Sequence, residues 1–166
     1  LMGPQEVVKV AKQVGIASKL LPILSLPLGA NEVTMLELTS AYGVFANNGR
    51  RVEPTGIIKI EDRDGTPLYE HTIRERRVFD ANLISTLVDM MKGIVKYGTG
   101  KGAKLPRPMA GKTGTTSDYR DAWFVGFVPQ LVTATWVGND DNTPTNKITG
   151  GWVPASMWRD FMKEAL

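Results

Sequence analysis

Apolar and polar positions repeat with two different periods along this chain, and the change of period marks its elements. Val7, Val10, Ala11 and Val14 recur at helical spacing, with Pro4 at a first-turn position and Gly15 just beyond. That pattern predicts a helix over Gln5–Val14 with one apolar face. Ile16–Leu28 is rich in Leu and Pro and has no period, which predicts a packed loop with a short turn. Thr34-Met35-Leu36-Glu37 has the form of a capping box. It opens a second helix whose Leu38, Ala41, Tyr42 and Phe45 form the core stripe, and Asn47-Asn48-Gly49 ends it.

From Gly56 to Glu70 the period falls to two. Ile58 and Ile60 alternate with Lys59 and Glu61, and Asp64-Gly65 turns the chain into a return at Leu68-Tyr69. Arg74-Glu75-Arg76-Arg77 reads as a solvated connection. Asp80 caps a long helix, Ala81–Tyr97, with Leu83, Leu87, Met91, Ile94 and Val95 inward. The Gly98-Thr99-Gly100-Lys101-Gly102 run reads as a flexible helix stop; a sharper alternative is that it helps to place a strand nearby.

Met109–Thr115, Ala122–Val128 and Leu131–Gly138 read as adjacent antiparallel strands, the last two joined by the tight Pro129-Gln130 turn, with the Lys112 side chain facing a groove. Asn139–Asn146 is polar and turn-rich. Its Asp140-Asp141-Asn142 resembles a calcium loop only faintly, because Pro144 stands where a ligand belongs. Pro154 opens a last helix to Leu166, with Met157, Trp158 and Phe161 on its buried side and Trp158 and Phe161 on the sheet. Helices, then antiparallel strands, then a closing helix predict an α+β fold, an antiparallel sheet flanked by helices, with no domain boundary.

Composition narrows the chemistry. The 166 residues suffice for one core, and a formal charge of +3, scattered along the chain, gives no nucleic-acid footprint. There is no cysteine, which excludes disulfides and thiolate chemistry and suits an extracytoplasmic protein. The single histidine, His71, sits in a polar stretch, which argues against His-paired nucleophiles and zinc sites. No apolar run reaches membrane-spanning length. The start at Leu1-Met2-Gly3-Pro4 is neither a signal peptide nor a natural initiator, so the chain is expected to be a piece of something longer.

The chemistry concentrates in Met109-Ala110-Gly111-Lys112-Thr113-Gly114-Thr115-Thr116. These are small residues, one cation and three hydroxyls. Gly111 and Gly114 leave room for another backbone, Lys112 supplies positive charge, and Thr113, Thr115 and Thr116 offer hydroxyls to a carboxylate or carbonyl. Such a stretch suits an anion-recognising sheet edge. Gly-Lys-Thr also ends the phosphate-binding P-loop, but the required earlier glycine is replaced by Pro106 and no helix follows.

Several stretches together resemble one family. They are Gly29-Ala30-Asn31-Glu32-Val33-Thr34, Ala41-Tyr42-Gly43-Val44-Phe45-Ala46-Asn47-Asn48-Gly49, Tyr97-Gly98-Thr99-Gly100, Ala110–Thr116, Asp121-Ala122-Trp123-Phe124-Val125-Gly126 and Trp136-Val137-Gly138. They cover nearly the whole chain. It resembles the C-terminal part of the transpeptidase domain of class A, bifunctional penicillin-binding proteins. That resemblance implies a serine-type D-Ala-D-Ala transpeptidase that cross-links peptidoglycan stem peptides and is acylated by β-lactams, without cofactor or metal. It also implies an extracytoplasmic place, in a parent anchored to the inner membrane.

Of the superfamily's three motifs, only Lys-Thr-Gly is here. Ser18, Ser25, Ser40, Ser85, Ser117 and Ser156 all lack Lys three residues on and Asn two residues on. The resemblance therefore places Ser-x-x-Lys and Ser-x-Asn on a preceding segment, with the glycosyltransferase domain and membrane anchor further upstream. It implies that Lys112 holds positive potential beside the relay serine. Thr113 and Thr115 hydroxyls would bind the terminal carboxylate of the peptide or β-lactam. The Thr115 N–H would be one of two oxyanion donors, and Gly114 would keep the edge open. Thr116 is a further substrate-binding candidate. Asp121 reads as a hydrogen-bond anchor and Trp123 as core. Two other readings stay open: a non-catalytic peptidoglycan-binding module, and a D,D-carboxypeptidase or β-lactamase-like hydrolase.

Overall fold

Local signals set most of the element ends. In the computed structural model, which describes residues 2–166, helix α1 covers Pro4–Val14 and stops at Gly15. Helix α2 covers Met35–Ala46, and both arms of the Thr34–Glu37 capping box are formed. Glu37 does more than cap. Its Oε1 accepts the backbone N–H groups of Ala17 and Ser18, both at 2.8 Å, and its Oε2 accepts the Ser18 hydroxyl. These bonds, the Ser18 hydroxyl foremost and then the Thr34 N–H, hold the carboxyl at about 2, well below its ordinary 4.5.

Ile16–Leu28 packs less than expected. Ile16 and Leu26 are buried, the latter in a 3-10 turn over Leu26–Leu28, but Leu24 and Leu28 are almost fully exposed. The stripe of α2 is also rotated slightly: Ala41 and Val44 are buried, with Tyr42 and Phe45 half-buried beside them. Burial of the ring pushes the Tyr42 phenol up to about 12.

Two small ribbons follow. Strand β1 (Arg50–Val52) pairs with β4 (Glu75–Arg77) in antiparallel fashion, and Arg50 meets the Glu75 carboxylate at 2.9 Å. The Arg-rich run is thus a solvated strand rather than a plain connection, because Val78 and Phe79 both donate to Gly49 O and bring it alongside β1. The expected hairpin forms between β2 (Lys59–Glu61) and β3 (Pro67–Glu70), turning at Gly65. Both its faces are exposed, Ile58 and Leu68 included.

Helix α3 (Ala81–Lys96) starts at Asp80, whose Oδ1 accepts the N–H groups of Asn82 and Leu83. Ile84, Met91, Gly93 and Val95 face inward. Leu83, expected inside, is exposed, since the helix is turned so that Ile84 takes the inner position. The glycine-rich run after it folds back against the helix end, with Gly98 N–H on Gly93 O and Gly100 N–H on Ile94 O, and continues into a 3-10 turn over Lys101–Ala103.

Strands β5 (Ala110–Thr115), β6 (Asp121–Val128) and β7 (Leu131–Gly138) form one antiparallel sheet in the order β5-β6-β7. The register runs unbroken from Ala110↔Phe127 to Thr115↔Ala122 and from Asp121↔Gly138 to Val128↔Leu131. Pro129-Gln130 is therefore the two-residue turn expected. Strand alternation gives the sheet two distinct faces. Phe127, Ala110 and Val132 face Met91 of α3 and the Tyr42–Phe45 side of α2. Phe124, Val128 and Met109 face helix α4 (Val153–Ala165).

Trp158 is the centre of that second core. It is completely buried, its ring lies edge-on to Phe124, and its Nε1–H donates to Gly126 O and Thr133 O. Pro154, Ala155 and Met162 complete the buried side of α4. Met157 and Phe161 were expected there and are exposed, Phe161 by 52%. Positions 154, 155, 158 and 162 make one stripe, and Trp158 fixes its phase; residues 157 and 161 fall beside it. The fold class is as the sequence implies: α+β, an antiparallel sheet flanked by helices.

Candidate active-site edge

Strand β5 is an edge of its sheet, and its backbone has a definite sense. The Thr116 N–H donates to Asp121 O at 2.9 Å, so residue 116 directs its polar groups at β6. In an antiparallel ladder the sense alternates along the strand. Gly114 and Lys112 therefore also point at β6, while the N–H and C=O of Thr113 and Thr115 point away from it, to the free edge. The Lys112 ammonium confirms that phase, for it donates to Thr113 O at 2.7 Å. The Lys112 side chain is exposed mid-strand and its charge sits at this edge.

The hydroxyls lie on the α4 face. Thr115 Oγ1 accepts the N–H of Gly150 at 3.1 Å, and Thr113 Oγ1 lies 2.7 Å from Thr99 Oγ1. Gly150 can approach so closely only because it is glycine: a Cβ there would overlap the carbonyl oxygens of Trp123 and Gly114. The two strand glycines differ in role. Gly111 is buried, and a Cβ on it would come within 2.7 Å of the Phe124 ring, so its smallness serves core packing rather than a visitor. Gly114 lies beneath Gly150.

Thr116 and Asp121 close the β5–β6 hairpin. Asp121 N–H donates to Thr116 Oγ1 at 2.8 Å, and the Thr116 hydroxyl lies 3.3 Å from Asp121 Oδ2. The other carboxylate oxygen of Asp121 accepts Trp136 Nε1–H at 2.9 Å. Asp121 is thus the anchor that the sequence indicated. Trp123 is half-buried, its ring 6.3 Å from that of Trp136 across the strands, rather than in the core.

The structure brings together Lys112, Thr113, Gly114 and Thr115 at one edge, with Thr116 at its end. It adds Thr99 and Gly150, which sequence reasoning did not assign to the site. The signal for Gly150 was the adjacent glycine pair Gly150-Gly151 ahead of the Pro154 helix, a mark of close backbone approach. For Thr99 it was its place between two glycines directly after a helix. In the polar loop, Asp141 Oδ1 accepts the N–H and hydroxyl of Thr143, which holds its carboxyl below the usual range.

Residues 11–163 match the model of the penicillin-binding protein transpeptidase domain. The chain belongs to this family. Among curated relatives, penicillin-binding protein 1A of Aquifex aeolicus is 44% identical over 164 residues, 98% of this chain and 22% of the relative. Of solved structures, PonA1 from Mycobacterium tuberculosis in complex with penicillin V superposes with a TM-score of 0.89 at 28% identity, over 98% of this chain and 50% of that one. Penicillin-binding protein 1A from Haemophilus influenzae superposes with a TM-score of 0.87 at 25% identity, over 99% of this chain and 31% of that one. The penicillin-binding transpeptidase fold thus runs through nearly the whole chain, and the chain spans between a fifth and a half of these relatives. No helix among the described residues is long and apolar enough to cross a membrane.

Proposed function

We propose that this chain supplies the Lys-Thr-Gly wall of a serine-type D-Ala-D-Ala transpeptidase, an enzyme that cross-links peptidoglycan and is acylated by β-lactams. The carrying observation is the free β5 edge, where the Thr115 N–H, the Lys112 ammonium and the Thr113 and Thr115 hydroxyls stand within one short strand. The Thr115 N–H points where a second chain could lie, and a preorganised N–H of this kind stabilises the oxyanion of acyl transfer. Thr113 and Thr115 bind the terminal carboxylate of a stem peptide or a β-lactam, and Lys112 holds positive potential beside it. Thr116 marks the end of the same subsite.

In this reading the 166 residues are the C-terminal portion of one transpeptidase domain. The nucleophilic serine, its lysine and the relay serine lie on a preceding segment of an extracytoplasmic parent. The glycosyltransferase domain and the anchor to the cytoplasmic membrane lie further upstream. The chain alone lacks the nucleophile and does not turn over.

The test is the rate of acylation of the full-length parent by a fluorescent penicillin. Thr115→Pro removes an N–H that points away from β6, so no ladder bond is lost with it. Loss of one oxyanion donor should slow acylation about 100- to 1,000-fold. Lys112→Ala should slow it as well. Acylation at the unaltered rate in both variants would overturn the reading.

A further inference from the structure

We propose that Thr99 is a positioning residue whose hydroxyl orients the Thr113 hydroxyl toward a carboxylate seated along the β5 edge. The inference rests on the reading of β5 as a carboxylate-binding wall.

A threonine hydroxyl has one proton to give and two lone pairs to accept with. Facing a carboxylate, which only accepts, it is useful solely through its proton. A neighbouring donor that fills a lone pair leaves that proton to be offered outward. At Thr115 the structure fixes this arrangement, because its partner, the Gly150 N–H, can only donate.

Thr113 has the equivalent partner in Thr99, at 2.7 Å, and here either oxygen can be the donor. If Thr113 donates, its proton is held by Thr99 and only lone pairs face the edge. If Thr99 donates, the Thr113 proton is free for the ligand. An anion at the edge selects the second setting, in which the Thr99 proton holds the Thr113 oxygen and leaves the Thr113 proton directed outward.

The frame around Thr99 fits this role. Its backbone is bracketed by the Gly98 N–H on Gly93 O and the Gly100 N–H on Ile94 O. Gly151 lies directly on the Thr99 carbonyl, where any Cβ would overlap the oxygen. The same Gly150-Gly151 pair therefore serves both hydroxyls: one glycine donates to Thr115 and its neighbour seats Thr99.

The test uses the full-length parent and two ligands, benzylpenicillin and its carboxylate methyl ester. Acylation rate constants are measured for the wild type, Thr99→Val and Thr99→Ser, alongside thermal unfolding. Thr99→Val keeps the branched shape and removes the hydroxyl. It should slow acylation by the free acid about two- to tenfold, the range of one net hydrogen bond, and leave the ester unchanged. Thr99→Ser should restore the acid rate. If Thr99→Val unfolds early, Thr99→Ala carries the same comparison.

Equal slowing of acid and ester would assign Thr99 to packing alone and overturn the proposal. So would an unchanged acid rate, or failure of Thr99→Ser to restore it. A wild type that does not discriminate acid from ester would instead remove the carboxylate wall, and the Thr99 role with it.

Discussion

The N–H of Gly150 donates to the hydroxyl oxygen of Thr115 at 3.1 Å, tying the entry to the last helix to the candidate active-site strand 35 residues earlier. Gly150 rests on the backbone of Gly114 and Trp123 with no room for a side chain. Gly150→Ala must push the segment off the sheet. It should lower stability by about 1–3 kcal/mol, as overpacking does, and slow acylation of the parent by penicillin. Gly56 provides the control, since nothing lies within 4 Å of a Cβ placed on it. Gly56→Ala should stay within about 0.5 kcal/mol of the wild type. Denaturant melts of the two variants check both expectations.

The last helix holds to the sheet through Trp158, not Phe161. Trp158 is fully buried with its Nε1–H shared between Gly126 O and Thr133 O, whereas Phe161 is 52% exposed. Trp158→Ala should cost about 3–5 kcal/mol, from lost apolar burial and a cavity beside Phe124. Phe161→Ser, which gives up only about half a phenylalanine's burial, should cost about 1–2 kcal/mol, well short of that. Equal losses in the two variants, read from unfolding midpoints, would contradict the assignment of the stripe.

What could be read from sequence was what is decided locally. The Thr34–Glu37 box and the Asp80 cap each lie within four residues, and both form. The β6–β7 hairpin needs only a two-residue turn between two strongly strand-forming runs, and its register is as expected. What failed was phase. Leu83 against Ile84, and Phe161 against Met162, are choices between neighbouring apolar residues, and the partner surface makes them rather than the helix itself. The Arg-rich strand β4 was invisible because its pairing with β1 spans about two dozen residues and its side chains stay in water. The edge strand was legible as chemistry, from Lys112, Thr113 and Thr115. Its supports were legible only in outline: the Gly98–Gly102 run was a candidate for placing a nearby strand, but that Thr99 meets Thr113 and Gly150 meets Thr115 is decided only by the folded sheet.

Glu37 should make stability pH-dependent. Its folded pKa, about 2, lies below the ordinary 4.5, so the unfolded chain binds its proton first as pH falls. The stabilisation from the charged carboxylate is therefore complete above about pH 4.5 and is lost as pH falls toward 2. Glu37→Gln keeps the size and removes the charge. The gap in thermal midpoint between wild type and Glu37→Gln should be widest between pH 5 and 7 and close between pH 4.5 and 2. A gap that does not change with pH would mean that the Ala17, Ser18 and Thr34 bonds do not depend on the charge.

The 166-residue chain alone should not be acylated by penicillin, although it carries part of the proposed recognition wall. Acylation requires a hydroxyl activated by a nearby base, and two donors converging on one oxygen. None of the six serines has Lys three residues on. Ser18, the one serine bonded to a carboxylate among the described residues, donates to Glu37, which is held at about 2 and is too weak a base to activate it. The single histidine faces the Tyr69 hydroxyl at 3.2 Å rather than a serine. Only one proposed oxyanion donor, the Thr115 N–H, remains. Lys112 and the threonines attract a carboxylate only weakly here, because an exposed charge contact in water contributes little. Supplying the upstream segment of the parent, in the same chain or as a separate one, should restore labelling, and Lys112→Ala should then reduce it. The measurement is incubation with a fluorescent penicillin followed by denaturing electrophoresis. A stoichiometric covalent band on the 166-residue chain by itself would place the nucleophile within it, and the division of the active site between two segments would have to be abandoned.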